Sequence, residues 1–522
     1  MAPSWQHPDS VAAAWFPALT DRPLRLAAVD LGAESGRVVV GRFDGGRLTL
    51  EDPYRFPNVP VSLAGTLHWD FLRLFGDVLT GLRRAADGGA IASVGVDTWG
   101  VDFGLLDDRG RLLANPVHYR DRRTDGMPEL AFATMERDQI YRATGIQFMP
   151  INTLYQLLSM VRSGDPQLRQ ADRLLMMPDL FHHFLAGGAV AEYTIASTSQ
   201  CLDPTSRDWA RPMLERFGIP TGILPEVVSP GTVLGPLRPD VAEATGLRDT
   251  RVILPGSHDT ASAVVGAPLD PGGTTCFLSS GTWSLIGLEV AAPVVTDVTL
   301  AANLTNEGGV AGTVRLLRNV MGLWLVQGCR SATWPTGDAP SYEELAALAE
   351  AAPSFSALVD PDDERFLHPG DMPGRIRAYC RETGQPVPDD IGTLIRVVLE
   401  SLALRYALAV EELTAASGLR IDALHIVGGG SNHRLLCRLT AGATGLPVRA
   451  GPVEAAAIGN LAVQAIAAGE LADVAQARQL IARSFSVATY EPEGEWAEAR
   501  QRFAALVTRG RATPTPEALA AS

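Results

Sequence analysis

Cysteine is scarce in this sequence. Cys201, Cys276, Cys329, Cys380 and Cys437 are the five in 522 residues, an odd number without CxxC spacing. That pattern argues against a disulfide framework or a thiolate metal site and suits a reducing compartment. Long apolar runs are missing too. None approaches about 18 uninterrupted apolar residues, so no membrane-crossing helix is expected. Basic charge is outnumbered, 44 residues against 59 acidic ones, for a net charge of −15. The imbalance argues against general capture of nucleic acid or of an anionic membrane surface, while leaving room for a local basic pocket. Met1 to Pro23 lacks the basic region and apolar core of a signal peptide and reads as an extension, with a short helix around Val11 to Phe16. The expected location is the cytoplasm.

What is present fits a multi-domain globular protein. Apolar residues make up 46% and charged residues 20%, and the chain is too long for one ordinary core. Leu24 to Asp30 reads as a strand, Gly32 to Arg37 as a tight turn and Val38 to Phe43 as a returning strand. Strand, glycine turn, strand is a hairpin, not a strand-to-helix phosphate loop. Its exposed N–H groups are either a plain turn or a nest for phosphate. Asp30, just before that nest, is placed to hold magnesium directly or through water. Gly272 to Leu288 repeats the unit, with Ser279 to Thr282 as the turn. Recurrence half a chain apart suggests two related halves facing a cleft.

Between the hairpins, Trp69 to Ala86 has helical spacing and Ile91 to Asp97 reads as a buried strand running into Thr98 to Phe103. Asp97, Trp99 and Asp102 near one strand end either bind a polyol or belong to the core. Glu129 to Tyr141, Leu154 to Val161 and Asp179 to Leu185 read as helices, and Ile219 to Pro239 as connector. Glu192 to Cys201, rich in hydroxyls, is either a loop near a ligand or a surface segment.

Arg251 to Leu254 is a short strand followed by Pro255 to Ser262, with small residues to Gly266 that open a helix. Ser257, Asp259 and Thr260 are candidate helix caps. Asp259 at a strand's C-terminal end is also where an open α/β sheet gathers ligand groups, and a carboxylate there can take a proton from a hydroxyl. Further on, Asn319 to Gln327 and Ile391 to Thr414 read as helices, and Asp360 to Gly374 as a polar excursion. Ile421 to Val427, Gly428 to Gly430 and a helix from Arg434 form a strand, glycine loop and helix suited to a nucleotide. Glu454 to Ala468 is an Ala-rich helix, and Arg509 to Ser522 reads as a disordered tail.

Six of these stretches stand in one order: Asp30 to Arg37, Asp97 to Phe103, Ser257 to Ser262, Ser279 to Ser284, Asn303 to Gly309 and Gly428 to Gly430. Together they resemble the FGGY carbohydrate kinases over roughly Leu24 to Gly469. The resemblance implies an α/β fold of two actin-like, RNase-H-like domains, with mixed sheets flanked by helices and an active site in the cleft between them. The expected bounds are 1–23 for the extension, 24–266 for the sugar-side domain, 267–490 for the nucleotide-side domain and 491–522 for a C-terminal helix and tail.

The resemblance further implies MgATP as phosphoryl donor and a ketose as acceptor. L-rhamnulose is expected, with L-fuculose, xylulose and ribulose as alternatives and a non-catalytic sensor as the contrasting class. Asp259 would be the general base. Gly100, His258, Thr260 and Asn319 would line the sugar site with it. Ala33, Glu34, Ser35, Gly36, Arg37, Thr282, Gln327 and Gly430 would touch ATP. Ala33 and Glu34 depart from the hydroxyls usual in the first turn, and the charge of Glu34 is expected either to point away from the phosphates or to be offset by Arg37. Partners are a small sugar and ATP, with no nucleic acid or membrane, in a monomer or homodimer.

Overall fold

A computed structural model describes residues 23–270 and 274–512. The proposed helix around Val11 to Phe16 and the tail beyond 512 lie outside them. The chain forms two compact units that interleave along the sequence: 1–273, 288–317 and 454–486 in the first, 274–287, 318–453 and 487–522 in the second. It passes from one to the other within the strands Trp283–Val290 and Val314–Met321.

The first unit is built on a six-stranded sheet, ordered Val233–Pro236, Arg251–Ile253, Ser93–Thr98, Leu24–Leu31, Ser35–Phe43, Leu48–Pro57. Leu24–Leu31 pairs antiparallel with Ser35–Phe43 and parallel with Ser93–Thr98. Arg251–Ile253 extends the parallel set on the far side of Ser93–Thr98. The hairpin reading therefore holds, and the supposed connector contributes an edge strand, Val233–Pro236. Helix Phe71–Asp87, capped by Asp70 accepting from Arg73 N, buries Phe71, Leu74, Val78 and Leu82. Helix Ala455–Ala467 buries Ile458, Leu461 and Ala462 in a core with Leu26, Ala28 and Val39.

The second unit repeats the scheme. Thr275–Ser280 pairs antiparallel with Trp283–Val290 and parallel with Ala423–Val427, which is followed by Val448–Ala450 and Ala488–Tyr490. The likeness of the two hairpins thus extends to their sheets. Helix Ile391–Ser417 is capped by Asp390 and buried on most sides. Two of its arginines pair within the helix: Arg396 donates to Glu400 at 2.6 Å, and Arg405 to Glu412 at 2.8 Å.

Four local expectations are corrected. Glu129 to Tyr141 is two helices, Met127–Thr134 and Arg137–Thr144, because Met135 and Glu136 are extended. Asn319 lies in the strand Val314–Met321, and the helix begins only at Trp324. Apolar residues on both faces of a buried strand imitate helical spacing. The tail from Arg509 starts inside helix Ala497–Ala512. Glu192 to Cys201 is a buried helical turn, Tyr193–Ala196, with a 3-10 turn at Ser197–Ser199, so its hydroxyls face the protein and not the surface.

Candidate active site

Three adjacent parallel strands of the first unit end together. Asp30 and Asp97 are directly opposite in the register of the first pair. The third strand, Arg251–Ile253, runs on through Leu254 to His258, where Thr98 N donates to Ser257 O at 3.0 Å. Asp259 is then the first residue of helix Asp259–Gly266. The N-cap position belongs to His258 and carries no side-chain cap bond, so Ser257, Asp259 and Thr260 do not cap. That correction leaves the Asp259 carboxylate available for chemistry. His258 Nε2 lies 3.3 Å from Asp259 Oδ1, and Thr260 Oγ1 donates to the same oxygen at 3.1 Å. Both contacts fall on Oδ1.

The loop before Asp259 rests on the turn that was read as a surface or ligand segment. Glu192 Oε2 accepts from Ser257 N at 3.1 Å, Ile195 N at 3.2 Å and Thr194 Oγ1 at 2.5 Å, while Oε1 accepts from Thr194 N at 2.9 Å. Thr194 Oγ1 in turn accepts from His258 N at 3.2 Å. Burial pushes the Glu192 carboxyl up to about 7, against the pull of these donors.

Asp97 is fully buried, with one oxygen held by Asn460 Nδ2 at 2.6 Å and the other, Oδ1, without a hydrogen-bond partner. Burial first, then the charge of Asp30, holds its carboxyl well above the usual range. Burial raises Asp30 as well, although Arg37 opposes it. Arg37 reaches Asp30 Oδ2 through Nε at 2.9 Å and through a terminal nitrogen at 2.8 Å, and meets Glu454 at 2.7 Å. Its guanidinium is thereby committed to Asp30 and Glu454, which removes the offset by Arg37 from the two arrangements expected for Glu34.

The first turn is closed by Gly32 N to Ser35 O at 2.9 Å, and Asn58 ties down the carbonyls of Gly32 and Glu34. Ala33 is half-buried, while Glu34 and Ser35 are exposed. Gly36 is required by packing, since a Cβ there would sit 2.5 Å from the Phe56 ring and 2.7 Å from Leu31. Gly100 begins a strained loop. Val101, a β-branched residue, has φ +67°, and Asp102 N closes back on Gly100 O at 2.9 Å. Thr198 Oγ1 accepts from Val101 N at 3.0 Å and holds the strain in place. Asp102 and Trp99 are structural. Asp102 accepts from Trp69 at 2.6 Å, Trp99 at 3.0 Å, Gln156 at 3.0 Å and Tyr119 N at 3.2 Å, so the polyol reading of this pair gives way to the core reading.

The second unit gathers its own group. Thr282 O accepts from Trp324 N at 3.1 Å, which sets the second hairpin turn against the first turn of helix Trp324–Thr333, where Gln327 stands. Gln327 Oε1 and Ser280 Oγ are buried without partners. Gly430 lies on Ser280, and a Cβ at that position would be 2.5 Å from Ser280 Cβ. Asn319 belongs to this unit, while Gly100, His258, Asp259 and Thr260 belong to the first. Asp97, Glu192, Asn460 and Glu454 were not singled out for these roles from the sequence.

The chain matches the N-terminal domain of the FGGY family of carbohydrate kinases over residues 27–266 and the C-terminal domain over residues 276–468. It is 47% identical over 468 residues to a rhamnulokinase of Bacteroides thetaiotaomicron, covering 89% of this chain and 95% of the relative. It is 44% identical over 490 residues to a rhamnulokinase of Pectobacterium carotovorum subsp. carotovorum, covering 92% and 96%. Among solved structures it is similar to gluconate kinase from Lactobacillus acidophilus, with TM-score 0.77 and 19% identity over 96% of this chain and 99% of that one. It is also similar to Plasmodium falciparum glycerol kinase with ADP, with TM-score 0.71 and 15% identity over 94% and 98%. At such identities the structures show the fold alone. No helix among the described residues is long and apolar enough to cross a membrane.

Proposed function

Because the chain belongs to the FGGY family of carbohydrate kinases, we propose that it transfers the γ-phosphoryl group of ATP to the 1-hydroxyl of L-rhamnulose, giving L-rhamnulose 1-phosphate and ADP. The sugar rests on the relatives that carry the name rhamnulokinase at 40–47% identity. The chemistry rests on Asp259. Its Oδ2 takes the hydroxyl proton as the sugar oxygen attacks the γ-phosphorus, and the bond to the β-phosphate oxygen breaks. In this reaction class the protein mainly positions the reactants and balances charge.

Gly100, His258, Thr260 and Asn319 hold the sugar. Ala33, Glu34, Ser35, Gly36 and Arg37 contribute backbone N–H groups to the phosphates, and Thr282, Gln327 and Gly430 contact the nucleotide. The partnerless Gln327 Oε1 is a ready acceptor for a ligand donor. The expected bounds 24–266 and 267–490 would put most sugar contacts and the first phosphate hairpin on one side and Thr282, Gln327 and Gly430, with Asn319, on the other.

Magnesium fits the first unit as an ion with few protein ligands. No group of three or more His, Cys, Asp or Glu among the described residues could hold a metal, and magnesium usually completes its shell with water and phosphate oxygens. Asp97 Oδ1 is buried without a partner, and after burial the charges of Asp30 and Asp259 help to hold this carboxyl above the usual range. Asp30 would meet the ion through water, its Oδ2 being shared with Arg37. Bound there, magnesium supplies positive charge against the β- and γ-phosphates. We place the enzyme in the cytoplasm, as a monomer or homodimer acting on a free sugar without nucleic acid or membrane.

The test is ATP-dependent phosphorylation of L-rhamnulose, L-fuculose, xylulose and ribulose by wild type and Asp259→Asn. L-rhamnulose should dominate, and the variant should lose about 10²–10⁴ in rate. Preference for another sugar overturns the substrate, an unaffected variant overturns the base, and turnover of no sugar at all brings the sensor reading forward.

A further inference from the structure

Beside Asp259 lies a group of buried charges to which the kinase reading gives no part. Glu307 and Arg315 are paired in register on neighbouring antiparallel strands, and both are buried. They converge on the His258 ring. Its Nδ1 stands 3.3 Å from Glu307 Oε2 and 3.1 Å from a terminal nitrogen of Arg315. The other terminal nitrogen of Arg315 is 3.3 Å from Glu307 Oε2, and Arg315 Nε donates to Gly308 O at 2.9 Å. On the far side of the ring, Nε2 faces Asp259 Oδ1 at 3.3 Å.

The two partners of Nδ1 make opposite demands. A guanidinium only donates, so contact with Arg315 requires a lone pair on Nδ1 and places the proton of the neutral ring on Nε2. That proton then points at the Asp259 carboxylate. Contact with Glu307 requires a proton on Nδ1, and the neutral ring would turn a lone pair toward Asp259. The first arrangement attracts and the second repels. The shorter contact and better geometry belong to Arg315, and Glu307 is placed to balance the charge of the guanidinium so that it can remain buried.

We propose that Arg315 and Glu307 are positioning residues for phosphoryl transfer: Arg315 fixes His258 with its proton on Nε2, Glu307 keeps Arg315 in place, and the imidazole thereby holds Asp259 Oδ1 so that Oδ2 faces the sugar hydroxyl. The inference rests on the reading of Asp259 as the base. The charge of Arg315 also acts on Asp259 directly, so the tautomer of the ring, and not the rate alone, carries the test.

The experiment combines tautomer and kinetics on the full chain. Nitrogen-15 histidine spectra recorded where the ring is neutral distinguish the two tautomers, and His258 is assigned by loss of its signals in His258→Gln. Wild type should carry the proton on Nε2 and Arg315→Met on Nδ1. Arg315→Met and the nearly isosteric Glu307→Gln should each lower kcat about 10–100-fold, the scale of lost outer-shell orientation, with KM for the sugar changed by no more than about threefold. Wild type with the proton on Nδ1 overturns the proposal. So does a loss confined to KM, or a kcat left unchanged in Glu307→Gln, which decides the matter if Arg315→Met does not fold. Asp259→Asn is the control. If it stays active the base reading fails, whereas an inactive Asp259→Asn beside a fully active Glu307→Gln refutes only the positioning roles.

Discussion

Gly459→Ala tests how the position of Asp259 is enforced from below. Helix Ala455–Ala467 crosses helix Asp259–Gly266 with almost nothing between the backbones. A Cβ on Gly459 would overlap the Ser262 carbonyl oxygen and sit 2.6 Å from its carbon and 2.9 Å from Gly266 N. Gly266 makes the reciprocal demand, since a Cβ there would be 2.9 Å from the Ala455 carbonyl carbon. Ordinary contact begins near 3.4 Å, so the helices must part by roughly 1 Å in a close-packed interior. Asp259 is the first residue of the displaced helix, about 4.5 Å along the axis from Ser262 at the usual rise per residue.

Two magnitudes then separate function from stability. Alanine gains up to about 1 kcal/mol over glycine within a helix. Overpacking costs about 1–3 kcal/mol. The fold should survive with a modest loss. A shift of about 1 Å in a reacting group, by contrast, can cost about 10²-fold in rate. A coupled assay of ADP release with ATP and L-rhamnulose should therefore show kcat down by about two decades, while calorimetry shows a drop of only a few degrees. Activity within about threefold of wild type would refute the reasoning, because helix Asp259–Gly266 would then absorb the strain without moving its first residue.

Two other outcomes follow from the geometry. Glu192, with an ordinary value of 4.5, is pushed up to about 7 by burial, so its contribution is fully present below pH 4.5 and is lost as pH rises through about 7. The difference is on the order of 3 kcal/mol, and the thermal midpoint of wild type should fall relative to Glu192→Gln between pH 5 and pH 8; parallel curves would refute it. Gly430→Ala should raise KM for ATP about tenfold by pushing the glycine loop off Ser280, measured as initial rate against ATP, and an unchanged KM would remove Gly430 from the nucleotide site.

Legibility in the sequence followed the range of the interaction. The hairpin at Gly32 to Arg37, the helices Phe71–Asp87 and Ile391–Ser417 and the strand ending at Asp97 carry their own periodicity and turn residues, and each was readable from a dozen neighbours. Asn319 was misplaced for the same reason, since a strand buried on both faces has no period to distinguish it from a helix. Six short motifs in order were enough for the family, because each places a small set of residue types at a strand end.

Only the folded chain decided what those residue types do. Asp259 and Asp102 are both acids close to strand ends. One has its two contacts on a single oxygen, while the other is consumed by four donors from Trp69, Trp99, Tyr119 and Gln156. Arg37 was one of two ways to relieve the charge of Glu34, yet Glu454, more than four hundred residues later, claims it together with Asp30. The hydroxyl-rich stretch at Glu192 looked like a loop until Ser257 and His258 were laid over it. Composition, periodicity and motif order are local and survive in one dimension. Whether a carboxylate is base, ion-pair partner or core acceptor depends on how many donors reach it and how much water is left, and both are set by packing between residues hundreds of positions apart.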